Sequence, residues 1–123
     1  RKALPFFLLS SNLAALTAWS NDFEFEDYLK REFSIFAKKS DVLILFSTSG
    51  GNIKRRQSVN LIKLAKYAKK KNIFIISFLG KGGGFLKKIS NFSIDIKSQN
   101  TGSIQEAHKV IMHSICSYFD ELF

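Results

Sequence analysis

Cysteine and proline are almost absent from this 123-residue sequence, which contains one of each. A single cysteine, Cys116, excludes a disulfide framework within the chain, so the fold must rest on a hydrophobic core, and a reducing compartment fits best. The longest apolar runs reach about seven to nine residues, well short of the roughly 20 that span a bilayer, and no secretory leader is evident. These absences predict a soluble, cytoplasmic protein.

The length and composition are those of one domain. With 46% apolar residues the chain can build a real core, and 123 residues are too few for two such cores. The sequence begins at Arg1, within a run that reads as part of a strand, rather than at a methionine. We therefore expect residues 1–123 to form a single, partial domain that is truncated at its N-terminus.

Basic residues are in excess, with 19 Lys and Arg against 10 Asp and Glu, which gives a formal charge of +9. Much of the excess lies in residues 53–72, where apolar residues recur at helical spacing: Leu61, Leu64, Ala65 and Ala68. This pattern favours a helix with a solvated outer face over a nucleic-acid interface. Phosphate ligands, RNA and acidic partners remain alternatives.

Short apolar runs alternate with helix-like segments along the chain. Strands are predicted at residues 5–9, 41–46, 73–79 and 92–96, and helices at 24–38, 57–71, 83–90 and 103–122. Such alternation is typical of parallel strands joined by crossover helices, and continuous apolar runs indicate strands covered on both faces. The predicted fold class is α/β, an open parallel sheet sandwiched by helices.

The sequence STSGG, residues 47–51, follows the second predicted strand, where open parallel sheets bind ligands. Its N–H groups, the hydroxyls of Ser47, Thr48 and Ser49, and the next helix N-terminus suit a phosphate. It is not a Walker A motif, because no Gly-Lys-Ser/Thr ends it. LGKGGGF, residues 79–85, also fails the dinucleotide fingerprint. Phosphate or sugar-phosphate binding and a purely structural turn both remain open.

A hydrolase is a weaker alternative. Ser49 lies in an S-x-S-x-G sequence, and Asp95 and then His108 or His113 follow in the order of an α/β-hydrolase triad. However, Ser47 replaces the first glycine of the nucleophile elbow, and the chain is very short for that fold.

Four successive blocks of sequence resemble bacterial phosphoheptose isomerases of the sugar isomerase (SIS) family: RKALPFFLLSSNLAALTAWSNDFEFEDYL, DVLILFSTSG, LGKGGGFLKKI and TGSIQEAHKVIMHSICSYFDELF. The resemblance covers nearly the whole chain and implies a flavodoxin-like SIS domain. It also implies isomerisation of sedoheptulose 7-phosphate to D-glycero-D-manno-heptose 7-phosphate for lipopolysaccharide and other surface polysaccharides. A zinc cofactor and a cytoplasmic homotetramer are implied as well.

The resemblance assigns roles to individual residues. Substrate contacts are implied at Asn21, Asp22, Ser47, Thr48, Ser49, Ser58 and Gln105, zinc ligands at Gln105 and His113, and proton transfer at His113. The segment GNIKRR, residues 51–56, departs from the family pattern, and must loop out if Ser58 is to join the other serines. Its basic residues either assist phosphate binding or are solvated.

Gln105 and His113 are eight residues apart, about 80° around an ideal helix and about 12 Å along it. They can line one elongated pocket, but they do not chelate an ion as an i, i+4 pair does. The family's Gly-Asn-Gly-Gly-Ser loop and the His and Glu that follow it are missing from the sequence. We therefore expect no turnover from this chain alone. The alternative function is a non-catalytic SIS module that binds a sugar phosphate or a protein partner, as replication-initiator-associating relatives do.

Overall fold

A computed structural model describes residues 3–123, in which three parallel strands form one sheet in the order β1-β2-β3. The strands are β1 (Val42–Ser47), β2 (Phe74–Gly80) and β3 (Phe92–Ile96). The helices are α1 (Leu13–Asp22), α2 (Phe25–Phe36), α3 (Val59–Lys70), α4 (Gly84–Ile89) and α5 (Thr101–Leu122). The predicted open parallel α/β sheet is confirmed.

The core lies between the sheet and the crossover helices α3 and α4. Leu43 and Leu45 of β1 and Ile75 and Leu79 of β2 point into it, and they meet these buried residues of the two helices: Ile62, Leu64, Ala65, Ala68 and Leu86. Three members of the apolar stripe predicted for residues 53–72 are thus buried, while its lysines lie outside the core. Burial of each large aliphatic side chain contributes about 1.5 to 3 kcal/mol to the stability of the fold. Helix α2 packs on α3, and α1 packs on α2.

The opposite face of the sheet is only partly covered. Burial alternates along β1, and on this face five apolar side chains are between 37% and 52% exposed: Val42, Ile44, Phe46, Phe74 and Phe92. We call these five residues the open sheet face. Helix α5 covers the C-terminal part of β2, where Ile104 is fully buried. The prediction that both central runs are covered on both faces therefore holds only in part within residues 3–123.

The strand predicted at residues 5–9 is wrong. Residues 3–8 have no regular structure, and Pro5 lacks the N–H group that a ladder needs. Phe6 packs edge-on against Phe119 of α5, with ring centroids 5.8 Å apart, and Phe7 lies 4.8 Å from Phe36 of α2. The apolar run thus contacts aromatic side chains of two helices instead of joining the sheet.

Helix α1 was not predicted, although Asn12 gives it a clear start. The Asn12 side chain accepts a hydrogen bond from Ala15 N at 3.0 Å, as an N-cap residue does. Among the helices of residues 3–123, none has the length and hydropathy needed to cross a membrane.

Candidate functional site

Three hydroxyl groups converge at the carboxyl end of β1. Ser58 Oγ lies 3.1 Å from Ser47 Oγ and 3.3 Å from Ser49 Oγ, although eight residues separate Ser49 from Ser58 in the sequence. We call Ser47, Ser49 and Ser58 the serine cluster. Thr48, between the first two in sequence, is half-buried. The structure therefore brings Ser58 back to the loop across residues 51–56, as expected.

The N-terminus of helix α3 lies at this cluster. Ser58 is its N-cap residue, but the Ser58 side chain makes no capping hydrogen bond, because its hydroxyl points to Ser47 and Ser49 instead. The loop N–H groups of Gly50 and Gly51 donate to Ser47 Oγ and Ser49 Oγ at 3.1 and 3.2 Å. An anion here would meet hydroxyl donors and the positive end of a 12-residue helix. The cluster itself contains no charged side chain.

The glycine-rich turn at residues 81–84, with the start of α4, holds the glycine-containing turn after β1 in place. Phe85 N donates to Gly51 O at 3.0 Å, and Leu86 N donates to Gly50 O at 2.8 Å, so the first turn of α4 holds the serine loop by its carbonyls. The backbones approach so closely that a Cβ on Gly50 would lie 2.0 Å from Gly83 O. We call this contact between residues 50–51 and 83–86 the glycine contact. Sequence reasoning missed it, and the available signal was three consecutive glycines after the neighbouring strand.

Residues 52–57, which we call the basic hairpin, connect the loop to Ser58. Asn52 and Gln57 exchange two backbone hydrogen bonds of 2.9 Å, which close the hairpin. Lys54, Arg55 and Arg56 are all exposed, and Arg56 Nη2 lies 2.7 Å from Glu26 Oε1 in the first turn of α2. The segment that departs from the family pattern is therefore attached to α2.

Asn21 and Asp22 are the last two residues of α1, and two further residues separate them from α2. Both are exposed, and Asn21 Nδ2 donates to Asp22 Oδ1 at 3.1 Å. Their predicted contact with a substrate stays a prediction.

Helix α5 carries Gln105 and His113, which are both exposed. His113 lies on an exposed face of α5 together with Val110, Tyr118 and Glu121. No group of three or more His, Cys, Asp and Glu side chains within residues 3–123 is arranged to hold a metal ion. The side chains in the described part of the chain therefore do not by themselves fit a zinc centre.

His108 is the buried histidine of α5, at 6% exposure. Its Nε2 lies 3.2 Å from Leu79 O, and its ring meets the edge of Phe46 at a centroid distance of 5.7 Å. One turn earlier, Ile104 fills the space beside Gly80, where a Cβ would lie 2.5 Å from Ile104 Cδ1. His108 and Ile104 thus fix the first half of α5 to the ends of β1 and β2.

The side chains that would form a hydrolase triad contact other groups instead. Ser49 contacts Ser58, and His108 contacts the Leu79 carbonyl. Asp95 pairs through Oδ2 with Lys97 at 2.9 Å and Lys87 at 3.2 Å. The hydrogen bond from Lys97, aided by that from Lys87, lowers the pKa of Asp95, while burial opposes the shift. No Ser-His-Asp contact forms among these residues, so the geometry does not support a triad.

Comparison with known sequences gives consistent matches. No family model matches the chain. The chain is 39% identical over 116 residues to the phosphoheptose isomerase of Crocosphaera subtropica, covering 94% of this chain and 56% of that protein. It is 41% identical over 123 residues to the phosphoheptose isomerase of Nitratiruptor sp., covering 100% of this chain and 63% of that protein.

Solved structures give the same result. The phosphoheptose isomerase of Francisella tularensis superimposes with a TM-score of 0.88 at 27% identity, over 98% of this chain and 62% of that one. The enzyme from Neisseria gonorrhoeae gives 0.78 at 27% identity, over 87% and 57%. The chain thus spans about 60% of the length of the proteins that it matches. Along its whole length the chain is a homologue of the phosphoheptose isomerases, and it has the SIS fold of the corresponding part of those enzymes.

Proposed function

We propose that the chain is the sugar-phosphate-binding part of a phosphoheptose isomerase that converts sedoheptulose 7-phosphate to D-glycero-D-manno-heptose 7-phosphate. The observation that supports this most directly is the serine cluster, which stands at the carboxyl end of β1 in a homologue of those enzymes. Such a site holds a phosphate with neutral donors and a helix N-terminus. Asn21, Asp22 and Gln105 are proposed to contact the sugar.

The proposed reaction moves protons between neighbouring carbons. A base removes a proton from C1 of the ketose to give an enediol, a proton is delivered to C2, and the hydroxyl proton passes from the C1 oxygen to the C2 oxygen as the carbonyl moves to C1. Such a base needs a pKa near the operating pH, and histidine is the side chain that most readily meets this condition. We assign His113 one of these proton transfers, because it is the exposed histidine of α5 and the resemblance to phosphoheptose isomerases implies this role.

Zinc is proposed for the intact protein, with Gln105 and His113 as the ligands that this chain contributes. Since residues 3–123 do not complete a metal centre, no step of the chemistry is derived through the metal. A homotetramer, a cytoplasmic location and a role in lipopolysaccharide synthesis complete the proposal. They rest on the homology to phosphoheptose isomerases.

The binding site is tested by removing its hydroxyls. Ser47→Ala and Ser49→Ala should each weaken sedoheptulose 7-phosphate binding by about 1.5 to 3 kcal/mol, because each removes a hydrogen bond to a charged phosphate. Isothermal calorimetry measures the affinity. Ser40→Ala, at an exposed serine in the turn before β1, is the matched control and should bind normally. Unchanged affinity in the Ser47 and Ser49 double variant would show that the loop is only structural.

The reaction is tested with the 123-residue chain and with a protein extended to the full length of its relatives. In a coupled assay for mannoheptose phosphate with added zinc, we expect turnover only from the extended protein, and His113→Ala should reduce it by about 100-fold or more. Robust turnover by the short chain would contradict the proposal that this chain does not complete the metal centre by itself. Substrate binding without turnover in the extended protein would instead indicate the non-catalytic SIS module.

A further inference from the structure

Arg56 of the basic hairpin is 75% exposed, yet its guanidinium pairs with a carboxylate of helix α2. Arg56 Nη2 lies 2.7 Å from Glu26 Oε1, across 30 residues of sequence. Lys63 of α3 also pairs with this carboxylate, since its Nζ lies 3.7 Å from Glu26 Oε2 and 2.7 Å from Asp27 Oδ2. The hairpin, α2 and α3 are therefore joined by one network of ion pairs.

The network is partly protected from water on its acidic side. Glu26 and Asp27 are 21% and 24% exposed, and Lys63 is 34% exposed. The hydrogen bond that Lys63 donates to Asp27 raises the pKa of Lys63, and the hydrogen bonds that Asp27 accepts from Lys30 and then Lys63 lower the pKa of Asp27. Isolated exposed pairs contribute little to stability, but a connected set of charges contributes more.

The ion pair of Arg56 holds a part of the hairpin whose backbone conformation is intrinsically unfavourable. Arg56 and Ser58 both have left-handed backbones, with φ of 52° and 50°, a conformation that is unfavourable for residues other than glycine. Gln57, between them, bonds to Asn52 through its backbone. A hairpin held at Arg56 thus fixes the backbone of the residue that carries the third hydroxyl of the serine cluster.

We propose that Arg56 is a positioning residue, which acts through its ion pair with Glu26 to hold the Ser58 hydroxyl in the phosphate site. The inference rests on the proposed sugar-phosphate site. It also assigns the network a second function, because only Phe23 and Glu24 separate Asp22 from α2. The same helix then supports both the hairpin and the segment proposed to contact the sugar.

The two possible roles of Arg56 predict opposite effects of a substitution at Glu26 on phosphate binding. If Arg56 bound the phosphate directly, removing the negative charge of Glu26 would free the arginine and strengthen anion binding. If Arg56 only positions Ser58, the same change releases the hairpin and weakens binding. Glu26→Gln therefore separates the two roles.

The experiment is an NMR titration of the chain and its variants with sedoheptulose 7-phosphate. We expect Glu26→Gln and Arg56→Gln each to weaken binding about two- to fivefold, and the double variant to bind no more weakly than either one. Arg56→Lys, which keeps a charge beside Glu26, should recover part of the loss. Arg55→Gln is the matched control, because it removes the same charge from an exposed neighbour, and it should bind nearly normally.

Amide hydrogen exchange provides a readout without ligand. Asn52 N–H and Gln57 N–H should exchange faster in Glu26→Gln and Arg56→Gln, but not in Arg55→Gln. Tighter binding by Glu26→Gln, or normal binding by both network variants, would overturn the inference. Absence of binding by the wild-type chain would reject the phosphate site itself and, with it, the role given to Arg56.

Discussion

Gly50 shows how a residue without a side chain can be essential to a site made of hydroxyls. Its carbonyl accepts from Leu86 N, its N–H donates to Ser47 Oγ, and its φ is +65°. No other residue type could keep both the positive φ and the close approach to Gly83. The serine cluster therefore depends on a residue that cannot contact a ligand through a side chain.

Gly50→Ala should lower the free energy of unfolding by about 3 kcal/mol or more. The added Cβ would lie 2.0 Å from Gly83 O, and alanine disfavours a positive φ. Gly82→Ala is the control, because Gly82 has a similar φ of +88° but no atom within 4 Å of the added Cβ, so its cost should be about 1 kcal/mol. Urea unfolding measures both. Equal losses would show that the glycine contact adds nothing to the backbone preference.

Sequence reasoning reached some of these residues and not others. Ser58 could be placed with Ser47 and Ser49, because the family pattern contains a serine after the loop. The three consecutive glycines of LGKGGGF indicate a close approach of two backbones, but nothing in the sequence shows that the partner is the turn after another strand. Arg56 could not be separated from Lys54 and Arg55, because only the fold brings Glu26 to it.

At the scale of helices and strands, the three confirmed strands and the predicted helices α2 to α5 agree with the structure to within a few residues. Their runs are strongly periodic or continuously apolar. The run at residues 5–9 has the same composition but no neighbouring strand in the described part of the chain, and composition alone could not reveal that. Helix α1 was missed because its alanines and serine give a weak apolar stripe.

Asp95 links two elements, because it lies on β3 and pairs with Lys87 of α4 as well as with Lys97. A lowered pKa in the folded protein means that the stabilisation is present above the unfolded pKa of about 3.9 and is lost as the pH falls through the folded pKa. Asp95→Asn should therefore cost about 1 kcal/mol at neutral pH, since both lysines are largely exposed.

Urea unfolding of wild type and Asp95→Asn between pH 3 and 7 tests this linkage. The difference between the two proteins should be constant near neutral pH and should shrink below about pH 4. A difference that persists unchanged at pH 3 would mean that Asp95 contributes through its packing rather than its charge. Asp27, whose pKa is also lowered, remains in both proteins and adds the same acid sensitivity to each.

For the whole molecule, the open sheet face is the main departure from a covered core. Contiguous exposed apolar surface of this kind usually marks an interface or causes aggregation. The outermost strands β1 and β3 also leave unpaired backbone groups at the sheet edges. Both features favour association of the chain with further copies of itself.

We expect the chain to exceed its monomer mass of 14.0 kDa in light scattering at micromolar concentration. Phe74→Lys with Phe92→Lys should shift it towards the monomer, because lysines on the open sheet face oppose burial of that face. Ile35→Lys, at a 63% exposed position on α2, is the control and should change little. A monomeric wild-type chain would contradict this expectation. Equal effects of the double lysine variant and of Ile35→Lys would indicate that the interface does not lie on the open sheet face.

The glycine contact also fixes when the site can form during synthesis. Residues 47–51 leave the ribosome well before residues 83–86, whose N–H groups hold the carbonyls of Gly50 and Gly51. A nascent chain that has completed β1 and the basic hairpin therefore has a serine loop with nothing to fix its carbonyls. Affinity for a phosphate should appear only when α4 has emerged and docked, so a nascent chain of which only the residues before Gly83 have emerged cannot yet bind.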